Sequence, residues 1–235
     1  ANTLDNYVKT SSINKMTELV IVNYHVQDLT GIQDFYELDH LQIIGSSIKQ
    51  LSLPNLPNLK KVEFSSNPYL TEMDVSNLVY VLEELIVWDG VLESITFGHV
   101  YSQLKILKLY QNRLKFVDVA LMTKLEELKL SSNFLEYSDV RYFDFSNNPL
   151  LKKIDLSYNK ITTIDVTKCS ELIEMKLNSN ILTSLDVSEN EYLSVLDISS
   201  NYNLDCVKVN QSQKDNIPRG WYWGGTMSFN INCNN

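Results

Sequence analysis

The sequence predicts a solenoid in which each repeat adds one short strand to a parallel sheet on the concave face, with extended or one-turn segments on the convex face. A phrase of the form L-x-x-[IM]-x-L-x-x-N-x-[IL]-x-x-[IL]-D-V occurs twice between Leu151 and Val187, and the second copy follows the first by 21 residues. One apolar position of this phrase recurs nine times along the chain, at steps of 21 to 26 residues. Repeats this short have no room for a full α-helix beside a strand and two turns.

The recurring apolar position, called the framework position below, is expected to point into the core. It is filled by Leu19, Leu41, Val62, Leu85, Leu107, Leu128, Ile154, Met175 and Leu196. Because each copy leaves apolar edges that only its neighbours can cover, we expect one array over residues 16–204 with a cap at each end. The N-terminal cap, residues 1–15, places Leu4, Tyr7 and Val8 at helical spacing, and the C-terminal cap covers residues 205–235.

A second shared position carries asparagine in six copies. These residues are Asn67, Asn112, Asn133, Asn159, Asn180 and Asn201, whereas Tyr24, Ser46 and Gly90 stand there in earlier copies. Stacked asparagines satisfy the buried backbone groups of successive turns, which predicts a structural ladder and local irregularity where asparagine is missing. The competing interpretation is six unrelated asparagines in surface turns.

Another inward column changes character midway along the chain. It contains Leu56, Leu78, Val100 and Met122 in the N-terminal half, and Asn148, Cys169 and Asn190 in the C-terminal half. Cys169 is therefore expected to be a small buried substitute for asparagine, inert rather than nucleophilic. The single 26-residue step predicts an insertion near Glu136 to Val140 that bulges from the outside of the turn, either as a neutral decoration or as part of a binding edge.

Composition and motifs argue against several classes of function. The formal net charge of −9 and the lack of a Lys/Arg run argue against a nucleic-acid partner. No unbroken apolar run approaches the roughly 20 residues that span a bilayer. Without a nucleophile elbow, a phosphate-binding loop or a zinc-type spacing, we expect no enzyme, no cofactor and no metal site. The aspartates of the L-D-V phrases are expected to be solvated or to bond turns rather than to hold a cation; they are Asp74, Asp118, Asp165 and Asp186.

The repeat phrase decays after Leu204. The segment WYWGG, which begins at Trp221, is expected to form a compact aromatic turn that covers the last apolar face. The alternative is an exposed sugar-binding platform made by Trp221 and Trp223. The stretch from Thr226 to Cys233 alternates like a strand.

Two of the three cysteines, Cys206 and Cys233, bracket this terminal segment. We expect a disulfide between them in an extracytoplasmic compartment, because a cap with little core of its own gains most from a cross-link. The alternative is two free thiols in a reducing compartment. The sequence begins Ala-Asn-Thr without an initiating methionine, so we expect either that a leader was removed or that the chain was trimmed.

Several stretches carry a family resemblance: the L-x-x-L-x-L-x-x-N-x-L phrases, the convex segment LDVSENEYL, the opening VQDLTGIQDFYELDHL and the ending LDCVKVN…W…SFNINC. They make about residues 13–233 similar to leucine-rich repeat proteins, and more narrowly to secreted or surface-attached members from Bacteroidetes. The resemblance implies a leucine-rich repeat solenoid that serves as a binding scaffold, with a partner that varies from member to member and a disulfide in the terminal cap. Repeats one to four depart from the pattern, so the N-terminal half is expected to be less regular.

Alternation along each strand places the residues between framework positions on the open concave face. Nine strands about 4.8 Å apart give a face about 40 Å long, enough for a protein or polymer ligand. The candidate binding residues on it are Ile44, Glu63, Ile86, Trp88, Ile106, Lys108, Tyr110 and Lys129.

An exposed aromatic pair in a groove favours extracytoplasmic recognition of a protein by a secreted or surface-tethered monomer. The alternatives are a carbohydrate-binding protein that uses Trp88 and Tyr110 as stacking platforms, or side chains that pack against one another and bind nothing.

Overall fold

The computed structural model describes residues 13–99, 101–137 and 145–233. In chain order its strands are β1 (Glu18–Val22), β2 (His40–Ile44), β3 (Gln50–Ser52), β4 (Lys61–Ser65), β5 (Glu72–Asp74), β6 (Glu84–Trp88), β7 (Ser94–Thr96), β8 (Ile106–Lys108), β9 (Glu127–Lys129), β10 (Glu136–Tyr137), β11 (Lys153–Asp155), β12 (Lys160–Ile161), β13 (Glu174–Lys176), β14 (Leu185–Asp186), β15 (Val195–Asp197), β16 (Cys206–Lys208), β17 (Gly220–Tyr222) and β18 (Ser228–Asn230). The helical elements that lie wholly within the described ranges are two 3-10 turns, Ile32–Asp34 and Ser76–Leu78, and the five-residue helix α1 (Gln211–Asp215).

Ten of these strands form one parallel sheet, which lines the concave side of the solenoid. Their order is β1-β2-β4-β6-β8-β9-β11-β13-β15-β17, so neighbours in the sheet come from successive repeats. Three smaller sheets, β3-β5-β7, β10-β12 and β14-β16-β18, lie on the flank where each repeat turns away from the concave face. The leucine-rich repeat solenoid expected from the sequence is therefore confirmed.

The register of the concave sheet follows the framework position. Leu19 pairs with Leu41, Leu41 with Val62, and the pairing continues in step to Leu196. From Leu41 onward these side chains are buried, with at most 1% of their surface exposed. A parallel sheet keeps this register because a slip of one residue would turn every framework side chain out to solvent.

The C-terminal segment supplies a tenth strand that was not expected from the sequence. Trp221 pairs with Leu196 in the concave sheet and is only 3% exposed, and its indole Nε1 donates a hydrogen bond to the carbonyl of Leu193 at 3.0 Å. The prediction of an aromatic turn at Trp221 was therefore wrong, and so was the alternative of an exposed platform that includes this side chain. Trp221 instead takes the place of a framework leucine and closes the core.

From β2 onward, the turn after each concave strand has a residue in the left-handed conformation directly before the asparagine position. In the part of the chain that the structure describes, seven residues other than glycine have φ between 51° and 58°: Ser66, Asp89, Gln111, Ser132, Tyr158, Ser179 and Ser200. In the second repeat Gly45 stands at this position with φ 65°. A non-glycine residue in this conformation costs roughly 1–2 kcal/mol, so the surrounding hydrogen bonds must hold the turn in place.

The asparagines supply those bonds. Asn180, for example, donates from Nδ2 to the carbonyls of Leu156 and Leu177, both at 3.0 Å, while its Oδ1 accepts from the amide of Ile161 at 2.9 Å. Each asparagine from Asn112 to Asn201 binds the preceding repeat in this way through both ends of its amide. From Asn112 to Asn201 the asparagines thus form a continuous ladder of buried hydrogen bonds.

The second inward column is also buried at every member that the structure describes; Val100 lies outside the described residues. Asn190 Nδ2 donates to the carbonyls of Val166 and Cys169, both at 2.9 Å, and Asn148, two steps earlier in the column, makes the matching pair of bonds. Cys169 between them is fully buried, and this burial raises the pKa of its thiol to about 12. The expectation of an inert thiol agrees with that environment, since a reactive thiol needs a lowered pKa.

The C-terminal end is cross-linked. Cys206 and Cys233 form a disulfide, with their Cα atoms 5.8 Å apart, that ties β16 to the segment after β18. Helix α1 between these strands begins with a reciprocal pair of hydrogen bonds between Asn210 and Gln213.

Two predictions concern residues beyond the described ranges. The helical N-terminal cap falls largely on residues 1–12, and most of the insertion predicted near Glu136 to Val140 falls on residues 138–144. Glu136–Tyr137 is β10, which pairs with β12. No helix within the described ranges is long and apolar enough to cross a membrane.

Candidate binding surface on the concave sheet

The eight residues predicted to bind a partner lie on five adjacent strands of the concave sheet, or directly after them. We call this set the concave patch; its members are Ile44, Glu63, Ile86, Trp88, Ile106, Lys108, Tyr110 and Lys129. Alternation along the strands turns all eight side chains toward the open face, because the framework residues between them are buried. The structure therefore brings them together on one surface.

Trp88 and Tyr110 form the centre of the concave patch. Their rings stack with centroids 5.6 Å apart and an interplanar angle of 11°, and Trp88 remains 36% exposed. The Lys129 ammonium lies 4.1 Å from the centroid of the Tyr110 ring. Burial, together with the negative charge of Asp89, raises the pKa of the Tyr110 hydroxyl. Tyr110 therefore stays neutral at physiological pH, with a tryptophan against one side of its ring and a cation near the ring.

The register of the sheet predicts a notch on the other side of Trp88. Ser65 on β4 occupies the place between Ile44 on β2 and Trp88 on β6, and its side chain is the smallest of the three. Alternate strands of a sheet lie about 10 Å apart, so the two larger side chains stand on either side of a gap about one side chain wide. Ile44 and Trp88 form apolar walls on the two sides of this gap.

Charged groups on the N-terminal side of the concave patch are already paired. Glu63 Oε2 lies 2.9 Å from His40 Nε2 and accepts from Gln42 Nε2 at 3.3 Å, and its Oε1 is 3.1 Å from Lys61 Nζ. A carboxylate held by three neighbours must give up these contacts before it can bind a partner. Glu63 thus forms part of a hydrogen-bonded polar edge of the patch and is not a free charge.

Lysines on the C-terminal side are paired more loosely. Lys108 Nζ lies 2.9 Å from Glu127 Oε1, whereas Lys129 Nζ lies 4.0 Å from Asp155 Oδ2 and also faces the Tyr110 ring. Partly exposed surface pairs of this kind contribute about 0–1 kcal/mol, so either lysine can exchange its partner at small cost. The patch is therefore apolar in its centre with cations along one edge.

Toward the C-terminal end of the sheet the concave face becomes polar, and its polar side chains are hydrogen-bonded within their own turns. Ser157 and Ser199 each donate from their hydroxyl to the aspartate two residues earlier, Asp155 at 2.6 Å and Asp197 at 2.7 Å. The same carboxylates accept the backbone amides of these serines, both at 3.1 Å. Donors and acceptors satisfied within one turn offer little to a partner.

The predicted aspartate column bonds turns. Asp74, Asp118, Asp165 and Asp186 each accept the backbone amide of the residue two positions later, at 2.8–3.0 Å. This bond fixes the direction of the chain as it leaves the flank strand. Across the part of the chain that the structure describes, no group of three or more His, Cys, Asp or Glu side chains is arranged to hold a metal ion.

Two features of the concave side lie outside the eight binding residues predicted from the sequence. A column of alternating charge precedes the strands, in the order Asp39, Lys60, Glu83, Lys105, Glu126 and Lys152, and its neighbours pair as Lys60–Asp39 at 3.2 Å, Lys105–Glu83 at 2.6 Å and Lys152–Glu126 at 2.7 Å. In addition, Val20 and Val22 on β1 are 47% and 67% exposed and extend the apolar surface to the edge of the sheet. The residues of each feature stand at a fixed distance in sequence from the framework position, and this regular spacing could have identified them as part of the concave surface.

A family model described as the endo-beta-N-acetylglucosaminidase EndoS LRR domain matches residues 8–159, which is more than half of the chain. No curated protein matches the chain. The narrower resemblance to Bacteroidetes proteins stays a prediction.

Solved structures share the fold. YopM from Yersinia enterocolitica has a TM-score of 0.61 at 23% identity, over 83% of this chain and 38% of that chain. Internalin C2 from Listeria monocytogenes has a TM-score of 0.57 at 23% identity, over 86% and 84%. The functional domain of InlJ from Listeria monocytogenes has a TM-score of 0.49 at 25% identity, over 87% and 56%. The chain thus spans 56% of the InlJ chain and 38% of the YopM chain.

Proposed function

Because the chain belongs to the leucine-rich repeat domain family whose model is described as the EndoS LRR domain, we propose that it is a non-catalytic module that recognises a protein through the concave patch. Proteins of this fold act generally in protein–protein recognition, and their curved sheets provide extended binding surfaces. The family description names an enzyme, but the matched model is the leucine-rich repeat domain of that enzyme, and recognition is the role that we assign to this domain.

The stacked pair Trp88 and Tyr110 is the observation that carries the proposal. Large aromatic side chains dominate the energetics of interfaces, and this pair is held rigid by its stacking and by the sheet beneath it. Preformed rings lose little conformational freedom on binding, so more of the contact energy remains as affinity. The adjacent notch over Ser65 offers a place for one apolar side chain of the partner.

The geometry favours a protein over a sugar at this position. A sugar stacks on the open face of an aromatic ring, but Trp88 lies against one side of the Tyr110 ring and the Lys129 ammonium lies over the ring as well. Tyr110 therefore presents mainly its edge and hydroxyl. Only the side of Trp88 toward Ser65 remains as a platform, and it is one wall of a narrow notch.

The proposed partner is a protein segment with an apolar anchor inside a polar rim. The anchor fits between Ile44 and Trp88, and acidic groups beside it can replace Glu127 and Asp155 at Lys108 and Lys129. We further infer an extracytoplasmic location and a monomeric state. The disulfide between Cys206 and Cys233 supports the location, because such bonds persist in oxidising compartments.

The test is a binding screen of displayed secreted and cell-surface protein domains against the wild-type chain and two double variants. Trp88→Ala with Tyr110→Ala removes the aromatic pair, and Asn178→Ala with Ser199→Ala is the matched control on the polar part of the same face. We expect at least one domain to bind the wild type, to lose about tenfold or more in affinity with the aromatic double variant, and to bind the control normally.

Thermal unfolding of both double variants should stay near that of the wild type, because the substituted side chains lie outside the core. A domain whose affinity is unchanged by the aromatic double variant would place the binding site elsewhere. Binding of a glycan array that is lost in the aromatic double variant would favour the carbohydrate alternative.

A further inference from the structure

A small cavity lies at the C-terminal end of the solenoid, away from the concave patch. It has a volume of about 190 Å³ and lies between the turn after β15 and the turn after β17. Its lining includes Ser200, Tyr202 and Asp205 from the first turn, and Gly224 and Thr226 from the second. Sites for drug-sized ligands occupy about 300–1,000 Å³, so this cavity has room for a single small ring.

The cavity lies where the repeat hydrogen bonds between β15 and β17 stop, after Tyr222. In four earlier turns the amide of the left-handed residue donates to a carbonyl of the following repeat at 2.9 Å, as Ser179 does to Ser199. Ser200 is the next residue in this series, and Gly224 would be its acceptor. No bond between them is present among the described residues, because the chain diverges after the carbonyl of Tyr222 accepts from Ile198.

The asparagine ladder ends at the same place. Counting on from the pairing of Asp197 with Tyr222, Thr226 stands where the next asparagine would be. Leu182, two residues after Asn180, donates its amide to Asn201 Oδ1, but Asn203, two residues after Asn201, finds only Thr226 in the corresponding position. Within the described ranges the amides of Ser200 and Asn203 have no acceptor. Two backbone donors are therefore available at this turn, and Ser200 lines the cavity itself.

Gly224 keeps this space open. A Cβ atom built on it would lie no closer than 4.0 Å to any neighbour, and that neighbour is the amide nitrogen of Ser200. Its φ is not in the left-handed region, in contrast to Gly225 with φ 70°. Neither packing nor backbone conformation therefore requires glycine at position 224. A side chain there would project toward the unpaired amide of Ser200.

The groups around the cavity define the chemistry of an occupant. Tyr202 is 92% exposed and provides an aromatic face, which suits a ring with C–H groups on one side. The amide of Ser200 and the hydroxyls of Ser200 and Thr226 can donate to oxygen atoms. The carboxylate of Asp205 accepts no hydrogen bond from any other described residue and can receive one from a hydroxyl. Asp205 and the net charge of −9 disfavour an anion, although the amide donors alone would suit one.

We propose that this cavity binds one neutral sugar ring, either a free monosaccharide or the terminal residue of a glycan. The ring lies against Tyr202, its hydroxyl oxygens accept from the amide of Ser200, and one hydroxyl donates to Asp205. This second site is independent of protein recognition by the concave patch. A site for one ring binds weakly by itself and adds affinity to a glycoprotein that also contacts the concave patch.

The test is saturation-transfer difference NMR with a panel of hexoses and N-acetylhexosamines, each as the free sugar and as its methyl glycoside. Binding of both forms indicates a glycan terminus, and binding of the free form alone indicates a free monosaccharide. Gly224→Val fills the cavity, and Tyr202→Ala removes the aromatic face without touching the core. We expect both variants to weaken binding by about tenfold or more.

Trp88→Ala is the matched control, and its binding of the sugar should equal that of the wild type. Tyr202→Ala keeps the test decisive if Gly224→Val does not fold. The proposal is overturned if no sugar of the panel shows saturation transfer with the wild type. It is also overturned if binding persists in a folded Gly224→Val variant, or if Trp88→Ala is the variant that abolishes it.

Discussion

The two halves of the solenoid share one framework but satisfy their polar groups differently. In the C-terminal half five consecutive asparagines bind neighbouring repeats, and concave serines such as Ser157 bond within their own turn. In the N-terminal half Ser46 and Gly90 interrupt the asparagines, and Val22 and Trp88 expose apolar surface on the concave face. Regular repeats thus supply rigidity, whereas the irregular repeats carry the surface available to a partner.

The irregular copies remain stable because asparagines of the following repeat form hydrogen bonds with them. Asn112 reaches back across Gly90 and accepts from the amide of Leu92 at 3.1 Å; a Cβ on Gly90 would lie 3.0 Å from its Oδ1. Ser46 donates its hydroxyl to Asn67 Oδ1 at 2.6 Å. The ladder therefore tolerates a gap of one copy, provided that the next asparagine is present.

The largest expected effect is the loss of a ladder asparagine in the regular half. Asn180→Ala leaves the carbonyls of Leu156 and Leu177 and the amide of Ile161 without their buried partner and creates a small cavity. We expect a loss of about 3 kcal/mol in the free energy of unfolding, measured by urea denaturation. Ser46→Ala in the irregular half removes the hydroxyl that donates to Asn67 Oδ1 at 2.6 Å and accepts weakly from the amide of Ile48 at 3.4 Å, and we expect a loss of about 1 kcal/mol. Equal losses in the two variants would contradict the contrast between the halves.

The repeat register could be predicted from sequence because burial fixes it. Every framework residue that pairs in the sheet, from Leu19 to Leu196, is apolar and recurs in one phase. The framework role of Trp221 could not be predicted, because tryptophan differs in size and shape from a framework leucine and Trp221 follows Leu196 by 25 residues. In addition, the asparagine position after Trp221 is filled by Thr226. The sequence pattern therefore does not predict β17, although the turn after this strand borders the terminal cavity.

The concave patch could be predicted only as a set of residues sharing one face. Alternation places Trp88 and Tyr110 on the open side, but side-chain rotamers decide that they stack and that Lys129 lies over the Tyr110 ring. The pairing of Glu63 with His40 across strands also depends on rotamers. Strand periodicity determines direction and spacing, whereas these contacts arise from packing between repeats.

The next effect concerns the left-handed residue of each turn. Gly45→Ala places a Cβ in a conformation with φ 65°, only 2.7 Å from the Tyr24 ring, which must move. We expect a loss of about 1–2 kcal/mol in the free energy of unfolding. Ser179→Ala is the matched control in the regular half, because Ser179 already has a Cβ at φ 58°, and it should change stability by less than about 0.5 kcal/mol. A larger loss in the Ser179 variant than in the Gly45 variant would contradict this explanation of the turn.

The smallest effect compares two turn aspartates, one in each half, by their response to acid. Partial burial acts to raise the pKa of Asp186, but hydrogen bonds from Lys208 and Ser188 outweigh it, so the pKa is lowered. Partial burial acts on Asp74 in the same way, and hydrogen bonds from Ser76 and Ser52 outweigh it, so the pKa of Asp74 is lowered too. A carboxyl whose pKa is lower in the folded than in the unfolded state stabilises the fold above about pH 4, and this stability is lost as the pH falls through the folded-state pKa.

Asp186→Asn should therefore reduce the free energy of unfolding at pH 7 by about 0.5–1 kcal/mol, a figure discounted for the partial exposure of the ion pair. The variant should also lose less stability than the wild type as the pH falls from 5 to about 2. Asp74→Asn has no lysine partner to lose and should show the same change with a smaller size. Urea denaturation at several pH values measures both. The assignment fails if Asp74→Asn flattens the acid limb more than Asp186→Asn, because the Lys208 contact at 2.6 Å is the difference between the two turns.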